Sequence, residues 1–413
     1  MEPLIADLLL TVASAYHLLG ALYYRAASAP PKEKVFEFPS LAVHVPAYKE
    51  DPQMLRNSVE KIIERLRPEQ VIVITDPESY EEVRKALPPE VEVVTGAEKG
   101  KARALNEALR LTRTAYIMVF DADSFPEEGF SLVKSPYAAS LWKGYSTGTR
   151  WGEALANVTT LASVALIYGR SKLGFPVIPP GSGVLIEKEL LEKLGGWSEG
   201  VLTEDVDLAL KALEAGVKAD VVPSFVLVEA PKDYASLKRQ QSRWAYGAVQ
   251  AIKRHVRALT KHPETFFYLT HHASTWLPLL ALITSPAGLS PLALILYYLA
   301  VSTEAFYSFK AAKGWRIRVS LADAARTSAA GLSMSIAILT AQIKALLGLK
   351  EVWKVTPKGR KRSVGKGIGS EVVLLLTPLI ALWNPASLPL ALQYFVASLY
   401  VTLRVLSEER RRH

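Results

Sequence analysis

The chain has 413 residues, 50% of them hydrophobic, no cysteine and a formal net charge of +9. That length allows two or three domains, and the missing cysteines exclude a disulfide framework, thiolate zinc sites and a cysteine nucleophile. The charge excludes nothing until it is located. Residues 1–24 carry two acids and no base, residues 25–264 carry 32 of each sign, and residues 265–413 carry 17 basic and 6 acidic side chains. The surplus therefore flanks the longest uncharged apolar runs. A nucleic-acid binder gathers its surplus on a polar face. This distribution is that of an integral membrane protein, with no nucleic-acid partner expected.

Leu4–Tyr24 is interrupted only by Asp7 and His17, and it reaches the ~20 residues that one bilayer span needs. No basic residue precedes it, and Tyr23-Tyr24-Arg25 stands where a signal peptide would place small residues, so a retained anchor over residues 1–30 is expected. The next stretch, 31–262, reads as α/β. Leu41–Val45, Val71–Thr75, Val91–Thr95 and Tyr116–Phe120 are strand-like, and Pro52–Leu66, Tyr80–Leu87 and Lys101–Leu111 are helix-patterned between them. That alternation predicts a parallel sheet with crossover helices and a ligand at the carboxyl ends of the strands.

The third region, 263–413, contains Thr265–Thr303 and Val372–Leu403, both free of charged residues. The first is 39 residues, ~58 Å as one helix, about twice a hydrocarbon core. Ser285-Pro286 and Ser290-Pro291 break it, and Asn384-Pro385 breaks the second, so two hairpins are expected. Val319–Leu349 lies between basic clusters (Lys310, Lys313, Arg316 and Arg318 before it, Lys350 to Arg362 after it). If both clusters face the cytoplasm, the stretch crosses an even number of times, and an interfacial or re-entrant helix is simplest. The count is five spans, the alternative being a sixth at 327–343. The catalytic region and the C-terminus then lie on the cytoplasmic side of the cell membrane.

Polar motifs fall at the predicted strand ends. Asp121-Ala122-Asp123 follows the fourth strand, and two such carboxylates suit Mg²⁺ or Mn²⁺, although for a lone DxD a solvated turn with an Asp cap is the commoner explanation. Pro46-Ala47-Tyr48-Lys49-Glu50 ends the first strand and offers a ring for a base and a carboxylate for ribose hydroxyls. Asp76 ends the second. Lys101 opens a helix behind Gly100, a place that suits a phosphate. Thr203-Glu204-Asp205 opens another, where Thr203 can cap the helix and acids are favoured in any case; the functional reading makes Asp205 a general base. Gln240, Arg243 and Trp244 share one helix face at i, i+3 and i+4.

Taken in order, these elements resemble the inverting, nucleotide-sugar-dependent glycosyltransferases of family 2, in particular the membrane branch of cellulose, hyaluronan and ceramide-glucoside synthases. The resemblance covers about residues 38–260 and the loop at 353–359. It implies a Rossmann-like GT-A domain inserted between transmembrane helices. It also implies that Pro46, Tyr48, Glu50 and Asp76 bind uridine, that Lys101 lies near the diphosphate, and that Asp121 and Asp123 hold nucleotide sugar and metal. By the same resemblance Asp205 is the base beside Glu204, and Gln240, Arg243 and Trp244 close the donor and acceptor site. Pro180-Gly181-Ser182-Gly183 looks like the loop lining the acceptor, placing Gly181 and Ser182 there. Trp353-Lys354-Val355-Thr356-Pro357-Lys358-Gly359, within 350–366, looks like a gating loop with Trp in place of Phe, which adds Thr356 and Lys358. The expectation is a metal-dependent hexosyltransferase using a UDP-sugar to extend a polysaccharide in contact with membrane lipid; the alternative is transfer of one sugar to a lipid acceptor.

Overall fold

The computed structural model describes residues 2–31, 40–146, 148–285, 288–350 and 368–410. Its centre is an eight-stranded sheet in the order β3-β2-β1-β4-β7-β6-β8-β5. The strands are β1 (Leu41–Ala47), β2 (Gln70–Thr75), β3 (Glu92–Thr95), β4 (Tyr116–Val119), β5 (Phe125–Pro126), β6 (Tyr137–Tyr145), β7 (Val184–Glu187) and β8 (Asp220–Glu229). The first four are mutually parallel, as the alternating pattern predicts. Beyond β4 the sheet becomes mixed, because β7 runs antiparallel to both β4 and β6. The wholly parallel sheet is therefore half of the answer.

Local chemistry explains the parallel half. β1 and β2 are buried along almost their whole length, which suits the β-branched runs of a strand covered on both faces. The helix Pro52–Leu66 starts where the Asp51 side chain accepts the Gln53 amide at 2.9 Å, with Pro52 in the first turn, and ends at left-handed Arg67. It buries Leu55, Val59, Ile62 and Leu66 on one stripe against Val43, Val45 and Val73. The helices Lys101–Leu111 and Glu204–Glu214 share a second core with Ile117, Val119, Tyr137 and Ile186.

The mixed half positions the site. Because β7 is antiparallel to β4, Val184 pairs with Val119. Residues 180–183 therefore enter β7 at the carboxyl end of β4, where Asp121 and Asp123 follow.

Outside the sheet, three helices among the described residues are long and apolar enough to cross a bilayer: Leu4–Ala26, Pro291–Gly314 and Pro385–Ser407. Leu321–Ser333 and Ser335–Leu346 form a pair bent by 47° that counts as a fourth if taken as one span. This lowers the expected five. The first arms of the two hairpins are too short: Ala273–Thr284 has 12 residues, ~18 Å at 1.5 Å per residue, and Ser370–Leu382 is likewise among the shorter apolar helices. The bend in the 321–346 pair fits the re-entrant or interfacial reading of that stretch. Asp7, an interruption in the first apolar run, accepts the backbone N–H of Ser290 at 2.9 Å, at the start of the Pro291–Gly314 helix. Leu4, Leu8, Leu292, Ile295, Leu299, Leu382 and Val396 are exposed on these helices and the shorter apolar arm.

Candidate active site

The strand ends bring most of the expected residues to one place. Lys101, on the first turn of its helix, reaches Asp121 Oδ1 at 2.8 Å, Glu204 Oε1 at 3.2 Å and the Gly181 carbonyl at 3.3 Å. Its ammonium thus ties the DxD turn to the TED turn, where the sequence alone suggested a phosphate contact. Burial pulls this amine down, but the charges of Asp121, Glu204 and Asp205 outweigh it and hold its pKa well above the ordinary value. Gly181 lies close between the two side chains: a Cβ on it would lie 3.0 Å from Lys101 Nζ and 3.1 Å from Asp205 Oδ2, tight contacts that those side chains would have to shift to relieve.

Asp205 stands in the first turn of the Glu204–Glu214 helix. Its Oδ1 accepts its neighbour Val206's amide at 2.9 Å, at the N-terminus of the Glu204–Glu214 helix. Burial, with the Glu204 charge beside it, pushes its carboxyl up to about 6 against the opposing Lys101 and Arg243 cations. A base poised near neutrality is what general-base catalysis favours. Thr203 occupies the helix cap position but makes no capping bond, a correction to the expected role. The helix Tyr234–Arg254 crosses there so closely that a Cβ on Gly247 would fall within 2.5 Å of Thr203 Oγ1, and that hydroxyl is buried without a hydrogen-bond partner among the described residues.

Ser182 links the DxD turn to aromatic residues. Its Oγ accepts the Asp121 amide at 3.2 Å, and its carbonyl accepts Trp142 Nε1 at 2.7 Å. Trp142 in turn lies 6.4 Å from Trp244, ring centre to ring centre, with 46° between the planes. Arg243 Nη1 donates to the Leu202 carbonyl at 3.4 Å, and Gln240 precedes it on the same helix. Tyr145 OH donates to the Asp123 carbonyl at 2.8 Å. Trp142 and Tyr145 were not singled out from the sequence. Both come from the run Trp142-Lys143-Gly144-Tyr145, whose mixed composition hides a strand ending beside the site.

The β1 and β2 ends hold the remaining residues. Asp76 is 2% exposed. Its Oδ2 accepts the Lys49 amide at 3.0 Å, while Oδ1 accepts the amide and hydroxyl of Ser79, both at 3.1 Å. Burial would raise its pKa, but these donors hold it below the usual carboxylate value. Asp76 therefore fastens the Pro46–Glu50 turn, in which Lys49 takes the left-handed conformation at φ 54°. Tyr48 packs by Ile72, Ile74 and Ala104, and Glu50 is partly exposed at the same rim. Asn106 exchanges two 2.9 Å hydrogen bonds with the backbone of Trp197. Thr356 and Lys358 lie outside the described residues.

A divalent cation fits the donor set. Asp123 is 1% exposed with its neighbour Asp121 partly open, and among the described residues no group of three or more His, Asp or Glu side chains is arranged to hold a metal ion by itself. One or two carboxylates suit Mg²⁺ or Mn²⁺, which take their other ligands from water and substrate phosphate.

Two family models match the stretch of chain that holds these residues. Residues 42–133 match the glycosyl transferase family 2 model, and residues 116–308 match that of glycosyl transferase family group 2. Between them the two family 2 models cover the sheet and the helices packed on it. A probable glycosyltransferase of Sulfolobus acidocaldarius is 26% identical over 285 residues, covering 63% of this chain and 59% of its own. Probable glucomannan 4-beta-mannosyltransferase 2 of Oryza sativa is 26% identical over 301 residues, covering 64% and 51%. The chain thus spans little more than half the length of these curated relatives. Among solved structures, the mannosyltransferase PcManGT of Pyrobaculum calidifontis, in complex with GDP-Man and Mn²⁺, aligns over 84% of this chain and all of its own, with 21% identity and a TM-score of 0.49.

Proposed function

We propose that the protein is a membrane-bound, inverting transferase that moves a hexosyl group from a nucleotide sugar, a UDP-sugar on the motif reading, onto a growing polysaccharide. The observation that carries this is the meeting of Asp205, Lys101 and Asp121 around Gly181. In the proposed organisation residues 1–30 anchor the chain, 31–262 form the GT-A domain, and 263–413 supply membrane and interfacial helices with a gating-type loop at 350–366. Thr356 and Lys358 belong to this reading on sequence grounds. The three long apolar helices support a membrane location with the catalytic domain on the cytoplasmic side.

Asp205 takes the proton of the acceptor hydroxyl as that oxygen attacks the anomeric carbon from the face opposite the diphosphate, so the configuration inverts. Asp121 and Asp123 would hold Mg²⁺ or Mn²⁺, and such a cation offsets charge on a departing diphosphate. Arg243 presents a second cation to the same region, Tyr145 fixes the backbone of Asp123, and Trp244 with Trp142 offers apolar faces to a sugar ring. Tyr48, Glu50 and the turn fastened by Asp76 form the nucleoside end.

The second reading, one sugar placed on a lipid acceptor, is favoured by the small number of long apolar helices, too few for an evident polymer channel. The test is incubation of the full chain in detergent with labelled UDP-sugars and GDP-mannose, with Mn²⁺ or Mg²⁺, followed by product sizing. The mannosyl donor is included because several relatives are named mannosyltransferases. A long polymer supports the first reading and a singly glycosylated lipid the second. No sugar transfer or donor hydrolysis from any of these donors removes both.

A further inference from the structure

The segment that carries Asp205 is stapled along the Tyr234–Arg254 helix by side chains outside every motif discussed so far. Gln250 Oε1 accepts the Leu202 amide at 3.0 Å, and its Nε2 donates to the Gly200 carbonyl at 3.1 Å. At the far end, Asp207 is fully buried, and its Oδ1 lies 2.9 Å from Arg254 Nε and 3.0 Å from His255 Nε2. The other nitrogen of that ring, Nδ1, lies 3.1 Å from Glu214 Oε2. Asp207 and Glu214 are seven residues apart, two turns along one face of the Glu204–Glu214 helix. One imidazole therefore spans two turns of the helix that begins at the base.

Ionised carboxylates only accept hydrogen bonds, and a neutral imidazole has a single N–H. Serving Asp207 and Glu214 together requires both ring nitrogens to be protonated. We propose that His255, as an imidazolium bridging Asp207 and Glu214, is a positioning residue that sets the register of the Glu204–Glu214 helix and so the placement of Asp205. This rests on the transferase reading above for its kinetic consequence, though not for its charge state.

The surrounding charges agree. Asp207 and Glu214 face the ring from one helix, with Lys211 on that helix 3.8 Å from Asp207 Oδ2 and Arg254 beside the ring on the other. Arg257 and Lys261 of the following short helix are exposed. Burial pulls the imidazole down, but the bonds and charges of Asp207 and Glu214 win and raise it above its ordinary 6.5. Burial likewise raises Asp207, yet its donors hold it down at about 2. The sign follows: a group raised in the folded state contributes below its unfolded value, and the contribution is lost as pH rises through the raised value.

The test compares wild type with His255→Gln, which keeps hydrogen-bonding capacity without the charge, and His255→Arg, which keeps the charge at every pH. In H255Q we expect kcat to fall on the order of 10- to 100-fold, the scale of an ångström-level misplacement, with donor KM unchanged. Wild type loses rate on an alkaline limb that H255R lacks. Equal kcat and equal alkaline limbs in wild type and H255Q overturn the proposal. The charge is read without turnover from the imidazole NMR resonance that disappears in H255Q. An imidazolium signal persisting above the ordinary histidine pKa supports the bridge, and a neutral ring there overturns it, whether or not any donor is turned over. A protein with that signal but no transfer activity would instead count against the transferase reading.

Discussion

Lys101 holds Asp121 Oδ1 at 2.8 Å and Glu204 Oε1 at 3.2 Å, and it opposes the burial and the Glu204 charge that push the neighbouring Asp205 carboxyl up to about 6. One ammonium therefore serves the donor side and sets the acidity of the base side. Much of the site's behaviour follows from that sharing.

Asp205→Asn should retain nucleotide binding and lose turnover by ~10²–10⁴, the usual worth of a positioned base. Isothermal titration with the nucleotide and initial rates on the same preparation separate the two. Full transfer activity in the variant would remove Asp205 from the role.

The same carboxyl sets the acid limb. The base works only when ionised, so the rate should decline as pH falls through about 6. Lys101 is one of two cations that lower this value, so in Lys101→Met the limb should move to higher pH. Rate–pH profiles of the two proteins decide it, and a limb that stays in place contradicts the shared-lysine account.

Asp123→Ala should abolish the Mn²⁺-dependent part of donor affinity, and a chelator should do the same to the unmodified protein. Calorimetry with and without Mn²⁺ reads both. Unchanged affinity in the variant would place the cation elsewhere.

Trp142→Phe keeps a ring beside Trp244 but loses the bond to the Ser182 carbonyl. A net hydrogen bond of this kind is worth about 0.5–1.5 kcal/mol, so a loss of roughly 2- to 13-fold in kcat/KM is expected, with Trp142→Ala losing more. Acceptor titrations of both variants provide the check.

How legible this was depends on how local the signal is. The strands β1 to β4 and their helices stood where the apolar periods placed them, within two residues, because a strand buried on both faces must be a β-branched run. Asp121 and Asp123 were legible as candidates because a short motif sits where β4 stops, and Asp205 because its motif opens a helix. β6 and β7 were not anticipated. Tyr137–Tyr145 mixes Ser, Lys and Gly with its aromatics, and its pairing is set by partners far away in sequence. The Asp207–His255 contact spans 48 residues and has no motif. The count of long apolar helices differs from the expected spans for another reason: the first uncharged run is also interrupted at Thr270–His272, where no proline marks the break.

A further ion pair, at the junction of domain and helices, is a separate test. Arg170, at 0% exposure, forms two bonds to Glu264, Nε to Oε1 at 2.8 Å and Nη2 to Oε2 at 2.9 Å. Breaking a buried pair by removing one partner costs about 3–5 kcal/mol, so Arg170→Met or Glu264→Gln should lower the thermal midpoint markedly in detergent. A melt indistinguishable from wild type would show the pair to be dispensable.

That pair also joins three distant stretches of chain. Tyr23 of the first helix donates to Glu264 Oε1 at 2.5 Å, and the Arg170 guanidinium covers the Tyr268 ring at 3.8 Å. Tyr268 in turn lies in the field of the Asp205 carboxylate. On the function proposed above, this node couples the first apolar helix to the segment that faces Asp205, so a change that loosens the helix should be felt at the base as well.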